Sequence, residues 1–388
     1  MSEWQGSTSD KRPGGTDLAP RDRLAAYLAS AGYPRSEPAI LQPAAIFLDQ
    51  SGEDIRGRLY LTSDVSGAEY CLRPEYTIPV CLDYLASPQA GGAAAFSYNG
   101  PVFRYRDNAL SEFWQAGLES FGRSDREAAD AEILTLALGA VTVAGQQHLN
   151  VKIGDVALFT SLLEALDLPP AWRRRITRAH SQGKGLDSIV TAKINGTGTD
   201  HSGVLAALEG VDHQGAHALV EDLLAIAGIS SVGGRTASEI ADRFLEQAAL
   251  QAGAGLPQEK RAILDRFLAI EGDPDQASAA LRKLAQEARL DFNATLDGFD
   301  ARLGFIAARG VDVATLAFAT RFGRNLDYYT GFVFEAHDPV RPEQKPLIGG
   351  GRYDGLLQRL GAASHIPAVG AAIWTDRLQT NALGGVQA

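Results

Sequence analysis

Apolar residues recur at helical spacing over residues 17–31, where Leu18, Leu24, Tyr27, Leu28 and Ala31 share a face and Gly32 and Pro34 stop the run. Residues 100–105 and 112–121 read instead as two strands joined by a polar loop around Arg106, Asp107 and Asn108. No charged side chain occurs between residues 133 and 151, a length that raises the membrane question. Gln146, Gln147, His148 and Asn150 interrupt that stretch, so a buried helix running into a strand at 149–153 fits it better. Further along, helical runs at 236–246 and 276–289 are broken by glycine at 196 and 198 and by Gly272, Asp273 and Pro274. Strand and turn chemistry returns from about residue 317.

This alternation predicts a polar, disordered tail over residues 1–16 and a core whose first part is 17–156 and second part 306–388, with a helical insertion at 157–305. At roughly 150 residues per domain, 388 residues allow two or three domains. Lys and Arg number 36 against 47 Asp and Glu, a net charge of −11 that argues against a general affinity for nucleic acid or acidic membranes. Two cysteines, Cys71 and Cys81, are too few for a disulfide scaffold or a four-cysteine zinc site, and point to a reducing, cytoplasmic setting. The polar N-terminus lacks the apolar core of a signal peptide.

Three segments concentrate charge and aromatic residues: 72–77 (LRPEYT), 103–119, and 324–335 (RNLDYYTGFVFE). On a strand, Gln115, Gly117 and Glu119 project from one face, and the central glycine leaves room for a ligand to approach. One amide and one carboxylate suit an ammonium group or an imidazole ring. The same spacing fits a solvated sheet face, Arg104 and Arg324 taken singly read as surface charges, and Tyr328 and Tyr329 as core aromatics. The glycine-rich run 349–355 lacks the phosphate-binding signatures and reads as a turn into a helix at Leu356. His213 and His217 read as a solvated helix face, and Arg173, Arg174 and Arg175 as the basic start of a helix. Composition and spacing lead to a ligand-binding α/β protein.

Taken in order, those segments resemble histidyl-tRNA synthetase, a class II aminoacyl-tRNA synthetase. Residues 72–77 match its LRPE-x-T element, and 100–104 followed by 113–119 match its motif 2 and the next strand. Residues 324–335 match the histidine-specific element, 350–355 match GGRYDG, and Pro43 stands where motif 1 keeps a dimer-interface proline. The resemblance implies an α+β fold, a mostly antiparallel sheet flanked by helices. It also implies a histidine pocket made of Glu75, Thr77, Arg104, Gln115, Glu119, Arg324, Tyr328 and Tyr329. In that pocket Arg324 and Arg104 meet the carboxylate and Glu75, Thr77 and Gln115 the ammonium, while the imidazole lies between Glu119 and Tyr328.

The nucleotide side departs from the synthetase pattern. Arg106 replaces the motif 2 glutamate that holds the adenosine end of ATP, Ser111 stands where a second loop arginine is expected, and Trp374 replaces the motif 3 glycine, while Arg377 is retained. The chain reaches Ala388 soon after motif 3, leaving no room for an anticodon-binding domain. A histidine pocket without an ATP site resembles the regulatory subunits of ATP phosphoribosyltransferase. That resemblance implies a non-catalytic chain without cofactor or metal, which binds L-histidine. Its partner is then a short-form catalytic subunit, met by a homodimer of this chain within a hetero-octamer, and histidine binding transmits feedback inhibition at the first step of histidine biosynthesis. The alternative is a histidyl-tRNA synthetase lacking its anticodon-binding domain, which the retained Arg104, Arg324 and Arg377 favour.

Overall fold

The computed structural model describes residues 18–50, 53–107, 109–168, 170–181, 218, 222–223, 226, 231–232, 235–236, 256–323, 328–342 and 345–378. In chain order the elements are α1 (Pro20–Ser30), β1 (Leu41–Pro43), α2 (Ala44–Gln50), α3 (Glu53–Arg56), β2 (Leu61–Ser63), β3 (Glu69–Leu72), α4 (Thr77–Ala86), β4 (Ala94–Phe103), β5 (Glu112–Phe121), α5 (Arg126–Val143), β6 (Asn150–Asp155), α6 (Val156–Ala165) and α7 (Pro170–Ser181). They continue with β7 (Ser231–Val232), β8 (Arg235–Thr236), α8 (Gln258–Leu268), β9 (Glu271–Gly272), α9 (Pro274–Ala288), α10 (Asn293–Ala308), β10 (Ala317–Ala319), β11 (Phe332–His337), β12 (Ile348–Arg352), α11 (Leu356–Arg359) and β13 (Ala368–Trp374).

Eight strands form the main sheet in the order β4-β5-β13-β12-β11-β6-β10-β9. Only β6 and β10 run parallel; every other neighbouring pair in that sheet is antiparallel. A smaller sheet, β1-β3-β2, carries the chain into α4. Local chemistry sets the boundaries. Pro20 stands in the first turn of α1, as its missing N–H allows. Asp273 caps α9 by accepting from Gln276 N at 2.9 Å, and Arg289 ends that helix in the left-handed conformation with φ 54°.

The uncharged stretch divides between α5 and β6. Helix α5 packs on β5, β12 and β13 and also meets α1 and α10, so its burial exceeds a single apolar stripe. Among the described residues no helix is long and apolar enough to cross a membrane. The described helices of residues 157–305 contribute Leu158, Ile176, Leu264, Leu281 and Leu303 to the same core as Ile133 and Leu134 of α5. Of the run 236–246 only Thr236 is described, in β8; His213, His217 and the glycines at 196 and 198 lie outside the described residues.

The glycine-rich run at 349–355 is not a turn throughout. Its first residues form β12, a fully buried interior strand of the sheet, and only the remainder turns into α11. Glycine is required there by close approach: a β-carbon on Gly350 would fall 2.6 Å from both the Gly370 carbonyl oxygen and the Phe334 ring.

Candidate functional site

Along β5, Ala116 and Leu118 enter the core shared with α5, whereas Phe113 and Phe121 enter a second cluster with Tyr76, Tyr98, Tyr353 and Trp374. The twofold period of a strand therefore turns Gln115, Gly117 and Glu119 toward that second face, opposite Trp374, Ala372 and Gly370 of β13. A cavity of about 310 Å³ opens on this side.

Helix α4 supplies one wall. The Glu75 carboxylate caps it, Oε2 accepting from Thr77 N at 2.6 Å and Oε1 from Ile78 N at 2.9 Å. Burial raises the Glu75 pKa, and those backbone N–H groups and Arg104 oppose the rise. The Thr77 hydroxyl donates to Glu119 Oε1 at 2.8 Å, and the Tyr353 hydroxyl donates to Glu119 Oε2. Glu119 is 1 % exposed, and its pKa is raised to about 8. Burial is the main cause, the nearby Glu75 adds to it, and the Tyr353 and Thr77 hydrogen bonds restrain it. Gln115 is also buried, and among the described residues its Oε1 has no hydrogen-bond partner.

Glu75, Thr77, Arg104, Gln115, Tyr328 and Tyr329 line this one cavity, together with Tyr353. Glu119 does not line it and sits one layer below, held by Thr77 and Tyr353. Arg324 lies outside the described residues. The space left by Gly117 is taken by protein rather than open to a ligand: a β-carbon there would fall 2.3 Å from the Tyr98 ring and from the Ala371 carbonyl oxygen. Tyr353, Arg58 and Lys345 are cavity residues that sequence reasoning missed. The signal for Tyr353 was its place in the 350–355 element, masked by the turn-like glycines before it.

Of the residues that the sequence resemblance sets at a nucleotide, Arg106, Trp374 and Arg377 line the cavity, whereas Ser111 contributes its carbonyl to Arg104 N at 2.9 Å. The Arg106 guanidinium lies 3.4 Å from the Phe113 ring centroid and 3.6 Å from Asp376. Trp374 is buried, and Arg377 stacks over it at 4.5 Å while donating to the Pro346 carbonyl. Arg104 remains a cation, although burial together with Arg58, Arg106 and Arg377 pushes its pKa down to about 10. A polar floor, whose Gln115 amide oxygen lacks a partner among the described residues, thus adjoins a cationic wall, chemistry that can pair with both an ammonium and a carboxylate.

The histidyl-tRNA synthetase family model matches residues 19–225 and 213–378. The ATP phosphoribosyltransferase regulatory subunit of Brucella ovis is 41% identical over 349 residues, 88% of this chain and 92% of that protein. Its Brucella abortus counterpart is 41% identical over the same share of this chain and 91% of its own length. Among solved structures, an ATP phosphoribosyltransferase regulatory subunit/histidyl-tRNA synthetase from Bacillus halodurans aligns with TM-score 0.61 at 18% identity, covering 96% of this chain and 83% of that one. Histidyl-tRNA synthetase from Nostoc aligns with TM-score 0.60 at 16% identity, covering 96% and 75%. These likenesses show the fold, a class II synthetase-like sheet flanked by helices.

Proposed function

The chain belongs to the family of ATP phosphoribosyltransferase regulatory subunits, within the histidyl-tRNA synthetase fold family, and on that premise we propose that it is a non-catalytic histidine sensor. L-Histidine occupies the cavity bounded by Glu75, Gln115, Tyr328 and Tyr353 and transmits feedback inhibition to a short-form catalytic subunit at the first step of histidine biosynthesis. A homodimer of this chain within a hetero-octamer, in the cytoplasm, is the assembly in which it acts.

The observation that carries the reading is the Gln115–Glu119 face. Among the described residues the buried Gln115 amide oxygen has no hydrogen-bond partner, a cost that a ligand donating to it removes, while Thr77 and Tyr353 already hold the Glu119 carboxyl behind it. The α-ammonium group meets Gln115, Glu75 and Thr77, and the carboxylate meets Arg104; Arg324, the second expected partner, lies outside the described residues. The Tyr353 hydroxyl already donates to Glu119, so its oxygen is left to accept from the imidazole N–H, and the ring is read through Tyr353. This modifies the sequence-based arrangement only at the ring, because Glu119 lies behind the cavity lining.

The nucleotide side supports the same reading. Arg106 stacked on Phe113 covers aromatic surface that a nucleotide base would need, and the buried Trp374, with Arg377 stacked on it, fills volume beside Gln115. Isothermal calorimetry of the full chain with histidine and with ATP–Mg²⁺ tests it. Histidine binding without ATP binding is expected, and the reverse pattern overturns the proposal. A second reading, an aminoacylating enzyme, is favoured by Arg104 and Arg377, both of which line the cavity. Histidine-dependent ATP–pyrophosphate exchange is its distinguishing activity.

A further inference from the structure

Tyr353 is flanked in sequence by two residues of a buried charge cluster. Arg352, 2 % exposed, donates to Asp130 Oδ1 at 2.8 Å, to Asp354 Oδ1 at 2.8 Å and to the Arg126 carbonyl at 2.9 Å. Arg302 of α10 donates to the other oxygen of Asp130 at 2.8 Å and to Asp155 Oδ2 at 2.6 Å. Asp354 also accepts from Ala368 N at 2.9 Å and from Arg126 at 2.6 Å. Three arginines therefore face three aspartates, and the fully buried Asp130 bridges two of those arginines.

A buried ion network adds little net stability compared with well-packed apolar residues, but removing one member leaves its partners uncompensated. What such a network does supply is fixed geometry. Here it pins the residues on either side of Tyr353, and it joins α5, β12 and the start of α6 to α10. The Tyr353 side chain itself points the other way, onto Glu119.

We infer that Asp130, Arg302, Arg352 and Asp354 are positioning residues that hold Tyr353, and through it Glu119, in register for the ligand. The inference rests on the histidine pocket proposed above. Because Asp130 serves Arg302 and Arg352 together, loss of its charge leaves two guanidiniums sharing fewer counter-ions. Arg352 then shifts, and Tyr353 with it. The groups facing Glu119 are Thr77, Glu75, Cys81, Tyr98 and Tyr353, and of these the Tyr353 hydrogen bond is the first restraint on its raised pKa. A displaced Tyr353 therefore moves the ionisation of Glu119 to higher pH.

The test is calorimetric titration of the full chain with L-histidine across roughly pH 6–9.5, for the wild type, Asp130→Asn, Tyr353→Phe and the double variant. Each single change is expected to weaken binding about tenfold, and to move the alkaline fall in affinity upward. The double variant is expected to bind as Tyr353→Phe does, since residues acting through one group are not additive. Wild-type affinity with an unmoved alkaline limb in Asp130→Asn, or independent addition in the double variant, overturns the inference. If Asp130→Asn does not fold, Asp354→Asn decides, because Asp354 holds Arg352 at 2.8 Å from the other side of Tyr353. It is expected to give a shift in the same direction, and no shift overturns the inference. Absence of histidine binding in the wild type overturns the proposed function itself.

Discussion

Gly370 stands directly across the sheet from Glu119, and a β-carbon on it would fall 1.6 Å from Glu119 Oε2. The carboxylate cannot simply rotate aside, because Thr77 holds one oxygen and Tyr353 the other. The glycine at this position of β13 and the carboxylate on β5 are thus one feature: the strand gives up a side chain so that its neighbour can bury an acid.

Gly370→Ala should therefore cost about 1–3 kcal/mol of stability, as overpacking does. It should also weaken histidine binding by more than tenfold, since the added methyl expels Glu119 from its hydrogen bonds. Chemical denaturation and calorimetry check both. A variant with wild-type affinity would show that Glu119 is not part of recognition.

Glu119 also sets a pH dependence. Its pKa is about 8 in the folded chain, against about 4.3 unfolded. The folded state binds this proton more tightly, so the associated stability is fully present below about pH 4.3 and is lost as pH rises through 8. Histidine adds a second limit. In the proposed complex one proton is held along the imidazole–Tyr353–Glu119 chain, and free histidine gains one of its own below about pH 6.5. Affinity should peak between about 6.5 and 8 and fall on both sides. Glu119→Gln removes the titrating group. Melting curves of that variant should lose the alkaline limb and its histidine titrations should keep only the fall set by the ligand's own α-ammonium, so an alkaline limb that persists in the melting curves would place the titrating group elsewhere.

The face shared by Gln115 and Glu119 was legible from the strand period alone. Whether that face met water or protein was not. The answer depends on Tyr98, Tyr353 and Trp374, which come from other strands and turns and carry no local mark on β5. Gly117 was misread for a related reason: glycine spacing shows that something approaches, and only the fold shows that it is the Tyr98 ring. Likewise, the glycines of β12 imitate a turn because turns and close strand contacts both exclude side chains. Glu75 stood out by its motif, but its capping of α4 became visible only with the helix boundary at Thr77.

Gln115 separates stability from binding. Its Oε1 is buried without a partner among the described residues, so replacing the amide by a similarly shaped apolar group removes an unsatisfied acceptor. Gln115→Met should leave the empty protein as stable as before, or up to about 1–3 kcal/mol more stable. The same change should weaken histidine about tenfold or more by removing the acceptor for its ammonium group. Opposite signs in one variant distinguish a ligand-binding residue from a structural one. A parallel loss of both would make Gln115 part of the scaffold.

The nucleotide side yields to a gain-of-binding test. In the proposed reading two side chains oppose ATP, and they do so differently. Trp374 fills volume on β13 beside Gln115, whereas Arg106 covers the Phe113 face and reverses the charge expected from the synthetases. Trp374→Gly opens the space but leaves Arg106 over Phe113, so alone it should confer little. Arg106→Glu restores the acid but leaves the indole in place. Together they remove both obstacles while Arg104 and Arg377 stay on the cavity wall. The double variant should gain an ATP–Mg²⁺-dependent rise in melting temperature. A hundredfold excess over the dissociation constant stabilises a folded state by about 2.7 kcal/mol, well within reach of a melting experiment. The wild type and both single variants should show none. A rise in the wild type would mean that Trp374 and Arg106 move aside for the nucleotide, and the chain would then have to be tested as an adenylate-forming enzyme.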